Sequence, residues 1–371
     1  MDIDIISILS ILNVTLLPFL LLVLYRKSRK MDVDLSFLMV ALLIIISGNV
    51  ISFLPAVLGY YSWTVIGIGF IFLYFHYSSL IVARPNIWLT VLIFSLFAFS
   101  YGINIILTQY ITIENPSVSY NITNPSLTTN FVERMAFLFS NYTAGLLNVV
   151  IFGYSFLVTW KVHKRVRGHK TLVDLLAQVI LTIFATFIFI RFLFVEVIIL
   201  LSAIGLVCSS VGIFLLIILY VQYPDYIYLL PFPIHSFMVY NQSGLLCYSR
   251  TLVRNPGELQ DVDILISGAL TAISSLIKET LGQGAQIRMI NADQYKIYFK
   301  QLQKESGTLA VIAFGETGFF EKSLDRFVKR LDPAMLEKIN ANIVNSNELE
   351  GKIDSAIKSC FPYAEFLPTA R

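Results

Sequence analysis

Residues 236–250 read SFMVYNQSGLLCYSR. Two short runs of aromatic and apolar residues flank Asn241-Gln242-Ser243-Gly244, a group of turn formers, and the pattern predicts a soluble β-hairpin. The chain before it has a different composition. Over all 371 residues, 56% are hydrophobic and 14% charged, with a mean hydropathy of +0.73. A soluble chain carries about 25% charged residues, so at least part of this one is expected to lie in a membrane. From Phe232 onward there are 15 Lys/Arg and 15 Asp/Glu, whereas residues 1–231 hold 12 and 9. A lipid-dissolved part and a water-dissolved part follow from that contrast.

A helix crosses the hydrocarbon with about 20 apolar residues. Seven stretches meet that description, at about 5–25, 35–55, 62–83, 87–110, 136–160, 172–190 and 197–222. The last two are separated only by RFLFVE (191–196), read as a tight hairpin because 50 residues are too many for one span. Residues 223–234 form a linker, 235–360 a folded domain and 361–371 a tail. The N-terminus begins MDID and its positive cluster follows the apolar run, the reverse of signal-peptide order.

Basic residues set the expected direction. The loops after spans 1, 3 and 5 carry RKSRK (26–30), Arg84 and KVHKRVRGHK (161–170), the last with Lys161, Lys164, Arg165, Arg167 and Lys170. On the other side, 56–61 has no basic residue and 111–135 only Arg134. The N-terminus is therefore expected outside the cell membrane and the C-terminal domain in the cytosol. Asn121-Ile122-Thr123 in the long outer loop is a glycosylation sequon clear of the bilayer, which makes Asn121 a candidate acceptor.

Several seven-helix chemistries are excluded by missing residues. Span 7 has no lysine for a retinal Schiff base, and His76 is the only histidine inside a span, too few for a zinc hydrolase. Span 3 ends SLIVARP and span 7 YVQYPDY, which lack the rhodopsin-type receptor triplet and NPxxY. The three cysteines (208, 247, 360) lie far apart and predict neither a disulfide framework nor a metal site. No cofactor, metal or nucleic-acid partner is expected.

A sparse polar set remains. Asn13, Asn49, Asn104 and Asn141 fall in the outer halves of their spans, with Tyr101 one turn from Asn104 and Arg191 and Glu196 on the same side. They predict either an outward-facing ligand pocket or interhelical hydrogen bonds. His76 and Gln178, in the inner half, predict packing. Ser202, Gly205, Ser209 and Gly212 form a small-residue stripe that predicts close helix contact on span 7.

Beyond the hairpin strands (236–241, 245–251), Asp261 or Asp263 can cap a helix at about 262–281. Strands are then predicted at 285–291, 294–301 and 308–315, and helices at about 318–331, 334–344 and 348–359. In the middle strand Tyr295, Ile297 and Phe299 alternate with Lys296, Tyr298 and Lys300, as in a strand with one wet face. The fold class is thus a membrane all-α seven-helix bundle plus a soluble α+β domain, a five-stranded antiparallel sheet in the order β-β-α-β-β-β-α-α. An edge strand in such a sheet invites pairing with a partner or a second copy.

That order, with the VYNQSGLLCYSR hairpin, resembles the longin (SNARE-like) fold and more loosely the roadblock fold. The resemblance implies a binding module used in membrane traffic or as a platform for small GTPases, with no catalytic residues. The early basic loop followed by LSFLMVALLIIISGNVI, and the aromatic span FIFLYFHYSSL, are similar to the seven-transmembrane sensor region preceding histidine kinases, although no kinase motif follows here. Three functions follow as expectations. The first is a receptor-like transducer passing an outer-face signal to the longin-like domain, which acts on a small GTPase or by self-association as a homodimer. The second is a static anchor for such a module. The third, an intramembrane enzyme or carrier, is disfavoured by the few buried acids and bases, and no enzyme activity is expected. Membrane lipid is a further expected partner, at the basic loop 161–170.

Overall fold

A computed structural model of the chain describes residues 5–31, 33–51, 56–82, 84–114, 131–190, 198–229, 232–241, 245–252, 287–291, 295–303, 307–332 and 346–362. The chain divides into two units, residues 1–79 with 84–227 and residues 80–83 with 228–371. The first is helical and the second holds the sheet.

The helices of the first unit are α1 (Ile5–Met31), α2 (Ser36–Ile51), α3 (Ala56–Ile81), α4 (Ile87–Glu114), α5 (Phe131–Arg165), α6 (His169–Ile190) and α7 (Ile198–Gln222); a 3-10 turn, Pro224–Tyr228, follows, its last residue counted with the second unit. Among the described residues three stretches are long and apolar enough to cross a membrane: Thr64–Ile81, Tyr142–Lys164 and His169–Ile190. Shorter apolar helical stretches are Ser36–Ile51, Ile87–Ile103 and Val207–Gln222. On α6 the exposed residues Leu172, Leu176, Val179 and Ile183 recur at helical spacing opposite buried Asp174, Gln178, Leu181 and Ala185.

Three expected loops are helical. RKSRK (26–30) forms the last turns of α1, because Arg and Lys are good helix formers and no Gly or Pro interrupts the run. Residues 56–61 open α3 instead of preceding it. Within 161–170 only 166–168 lie outside helices. Thr171 Oγ1 donates to the Val166 and Gly168 carbonyls at 2.9 Å, and His163 Nδ1 lies 2.8 Å from the same hydroxyl, so this short turn is stapled. Asn86 caps α4, its Oδ1 accepting from the Trp88 and Leu89 amides at 3.0 and 3.3 Å. The two glycines of the small-residue stripe meet α6: a Cβ on Gly212 would sit 2.6 Å from Leu181 Cγ, and Gly205 faces Ile188 and Phe184.

The sheet unit has strands β1 (Ile234–Asn241), β2 (Leu246–Thr251), β3 (Met289–Asn291), β4 (Lys296–Gln301) and β5 (Gly307–Ala313). Every pairing is antiparallel and the order is β2-β1-β5-β4-β3, which leaves β2 and β3 at the edges. The hairpin register shifts between Val239 and Tyr240, and Asn241 closes it: its Oδ1 accepts from the Leu245 amide at 2.8 Å. β3 is shorter than the expected 285–291, since residues 287 and 288 are not strand. Helices α8 (Gly318–Arg330) and α9 (Ser346–Cys360) agree with the expected 318–331 and 348–359 to within two residues. The helices expected at 262–281 and 334–344 lie outside the described residues.

Both sheet faces are covered, which corrects the wet face assigned to Lys296, Tyr298 and Lys300. Tyr298 is buried with Phe237, Val239, Leu309 and Val311 in the cluster that includes Phe320, Leu324 and Phe327 of α8 and Ile353 and Ile357 of α9. Met238, Tyr240, Phe299, Ala310 and Ile312 form a second cluster, alternating with the first along β1, β4 and β5. The two lysines beside Tyr298 reach sideways, Lys296 to Glu316 and Lys300 to Asp325 at 2.8 Å. Thr317 caps α8, its hydroxyl accepting from the Phe320 amide at 3.0 Å. Thr317→Ala is therefore expected to cost about 1 kcal/mol, read as a small loss of thermal stability of the full chain.

Candidate functional site

The first turns of α6 read HKTLVDLLAQ, with Thr171, Asp174 and Gln178 at i, i+3 and i+7 on one helix face. That face points inward. Asp174 is 1% exposed and Gln178 fully buried. A carboxyl group buried this deeply requires donors, since a buried acid without hydrogen bonds is strongly disfavoured. Here three hydroxyls supply them from three other parts of the chain. Tyr77 OH on α3 donates to Oδ1 at 2.9 Å, Tyr226 OH in the 3-10 turn donates to Oδ2 at 2.9 Å, and Thr159 Oγ1 on α5 donates to Oδ2 at 3.4 Å.

A second layer extends the network. Gln178 Nε2 donates to Tyr77 OH at 2.6 Å, and His76 Nε2 lies 2.8 Å from Tyr220 OH on α7. The Tyr220 and Tyr226 rings meet edge to face at 5.8 Å between centroids. The bond partners of Asp174 lie 97, 52 and 15 residues away in sequence, so a single side chain fixes α3, α5, α6 and the turn after α7 together. Nearby, Lys27 Nζ of α1 donates to the Val221 and Gln222 carbonyls at 2.7 and 3.2 Å, satisfying the open C-terminus of α7. Lys170 Nζ lies 4.4 Å from the centroid of the Tyr223 ring.

Tyr226 belongs to the 3-10 turn Pro224–Tyr228, and its hydroxyl is committed to Asp174. Any shift of α6 against α3 lengthens several of these bonds at once. Among the described residues no group of three or more His, Cys, Asp or Glu could hold a metal ion.

The residues singled out from sequence fall elsewhere. Asn49 on α2 donates its amide to the Ile45 carbonyl of its own helix at 3.0 Å. Tyr101 on α4 is buried, its ring 4.7 Å from that of Phe97 and so close over Gly67 that a Cβ there would lie 2.8 Å from the phenol oxygen. Asn13, Asn104 and Asn141 lie in α1, α4 and α5, with side chains outside the described set. Arg191, Glu196 and the sequon at Asn121 are outside the described residues altogether. Lys161 and Lys164 are exposed on the last turns of α5, Arg165 ends that helix, and Arg167 is exposed in the short turn beyond.

Asp174 was legible and missed. It is the one acid inside the expected span 172–190, and an acid within a span is costly enough to mark a functional position by default. Its tyrosine partners carried no sequence signal of their own. Comparison with protein-family models, curated proteins and solved structures finds no match to this chain.

Proposed function

We propose that the chain is a multi-pass membrane transducer. In this proposal α1–α7 all cross the bilayer with the N-terminus outside, and the sheet unit is a cytosolic longin-like interaction domain. Its output is recruitment or regulation of a small GTPase, or self-association. The observation that carries the proposal is the 3-10 turn at Pro224–Tyr228. Tyr226 is bonded to Asp174 inside the helical unit, and Tyr228, two residues later, lies in the sheet unit with the Arg326 guanidinium 5.0 Å from its ring centroid. A link fastened at both of these residues has almost no slack, so release or displacement of Tyr226 is passed along the chain.

Three helices of spanning length and composition support the membrane assignment. The concentration of basic residues at the ends of α1 and α5 supports the orientation. The hairpin followed by a three-stranded meander, with β1 paired to β5, supports the longin-like reading of the domain.

The test uses the full chain reconstituted in vesicles as bait, with host lysate loaded with GTP or GDP. A small GTPase retained in only one nucleotide state is the expected result. Tyr226→Phe removes one donor from Asp174 at a cost of about 1 kcal/mol and leaves the fold intact. Under the transducer proposal it changes the captured yield several-fold. An unchanged yield favours the static anchor, and a bait that dimerises while capturing no GTPase makes self-association the output.

A further inference from the structure

We propose that one rim of the helical unit is a binding surface for anionic phospholipid headgroups, formed by exposed basic side chains of α1, α5 and the α3–α4 turn together with Trp88 and Trp160. The inference rests on the membrane-spanning proposal and adds a ligand to it.

Hydrogen bonds bring the relevant helix ends to one end of the unit. Lys27 ties the end of α1 to the end of α7, and Asp174 ties the start of α6 to Tyr77 near the end of α3 and to Thr159 near the end of α5. Tyr74 OH and Thr90 Oγ1, 3.1 Å apart, join the end of α3 to the start of α4. Of the basic residues in 1–231, all but Arg134 and Arg191 fall at these ends.

Two of them are engaged internally, Lys27 on the α7 carbonyls and Lys170 on the Tyr223 ring. Others point outward: Arg26, Arg29 and Lys30 on α1, Arg84 before α4, and Lys161, Lys164 and Arg167 at the α5–α6 turn are all exposed. Among the described residues none of these pairs with a carboxylate; the ion pairs seen, Lys296–Glu316 and Lys300–Asp325, lie in the sheet unit. Among the described residues, the acids near this end are Asp174, Asp34 and Asp225. Asp174 is buried in its cluster, and Asp34 accepts from Ser36 at the start of α2; Asp225, in the 3-10 turn, is half-buried.

Two tryptophans mark the depth of the rim. Trp88 is 84% exposed in the first turn of α4 and Trp160 is 50% exposed one turn before the end of α5. Amphipathic rings that stay exposed at helix ends sit at headgroup level. Cationic side chains spread along a rim with no enclosing pocket suit many headgroups of a charged leaflet better than one free phosphate ion. Each such residue near the surface strengthens binding about fivefold, from about 1 kcal/mol per Lys or Arg.

The experiment measures quenching of tryptophan fluorescence in the full chain reconstituted into phosphatidylcholine–phosphatidylglycerol vesicles. The bromine label is carried on one lipid or the other. Trp63 lies some 20 Å along α3 from Tyr77, so Trp63→Phe leaves Trp88 and Trp160 as reporters. The expected result is at least about fivefold preference for brominated phosphatidylglycerol. Combining Lys161→Gln, Lys164→Gln and Arg167→Gln should bring it close to parity without loss of thermal stability. Parity in the parent protein overturns the proposal, and an unchanged preference in the triple variant overturns its placement at the α5–α6 turn. Inorganic phosphate at matched ionic strength is the control; if it abolishes the preference, the rim binds free phosphate and the lipid assignment is wrong. Absence of quenching by either lipid overturns the membrane-spanning proposal itself.

Discussion

Asp174→Ala is expected to destabilise the helical unit by roughly 3 kcal/mol. The variant leaves three hydroxyls, those of Tyr77, Tyr226 and Thr159, without their acceptor in a site from which water is excluded. An orphaned buried donor costs about 1–3 kcal/mol, while hydrogen bonds between membrane helices average only about 0.6 kcal/mol, so three together fall between these limits. Asp174→Asn is the internal control. It keeps one acceptor oxygen and turns an amide donor toward a hydroxyl that itself donates, which predicts a smaller loss. Thermal unfolding of the reconstituted chain, followed by tryptophan fluorescence, checks both. Parental stability in Asp174→Ala would show that the network fastens nothing.

The second large effect belongs to the sheet unit. Phe320 is fully buried at the start of α8, with ring centroids of Tyr298, Phe232 and Phe361 at 4.9, 5.5 and 5.9 Å. Phe320→Ala removes the ring around which these aromatics are arranged and is expected to cost about 3–5 kcal/mol. The protein carries its own reporters. Cys247 and Cys360 are buried and in no disulfide, and burial raises both thiols above the usual range, which keeps them protonated and unreactive in the folded domain. With Cys208 replaced by serine, their modification by a thiol reagent tracks opening of the sheet unit. A loss of about 4 kcal/mol corresponds to roughly a thousand-fold faster reaction. A change of less than tenfold would mean that the core repacks around the missing ring.

Much of the architecture could be read before the structure, because it rests on local pattern. The seven apolar runs fall in the helices α1–α7, three described stretches of which are long and apolar enough to cross a membrane, and β1 ends at Asn241, the first of the expected turn formers, with β2 beginning at Leu246. The misreadings share a different origin. Alternation in 295–300 shows which residues share a face, and it says nothing about what will cover that face. Tyr298 could be placed only once Phe320 and Ile353 were seen against it. RKSRK is a loop only if the helix stops with its apolar residues, whereas the propensity of Arg and Lys carries α1 further. The network around Asp174 depends on pairs far apart in sequence, and Tyr77 and Tyr226 look like any other aromatic residue until the fold brings them to one carboxylate. Of the amides conspicuous in sequence, Asn49 donates to the Ile45 carbonyl of its own helix, while the side chains of Asn13, Asn104 and Asn141 lie outside the described set.

The clasp between the first helix and the last has a consequence for how the protein is made. Lys27 finds its acceptors 194 and 195 residues later, and α1 packs against α7 as well as α2. At a synthesis rate of about 5–20 residues per second, α1 leaves the ribosome roughly 10–40 s before the carbonyls it will cap exist. Over that interval the flank of the first helix that packs against α7 lacks its partner. A ribosome stalled anywhere before Val221 therefore displays an open helical bundle, with its closing lysine free for quality-control machinery to find.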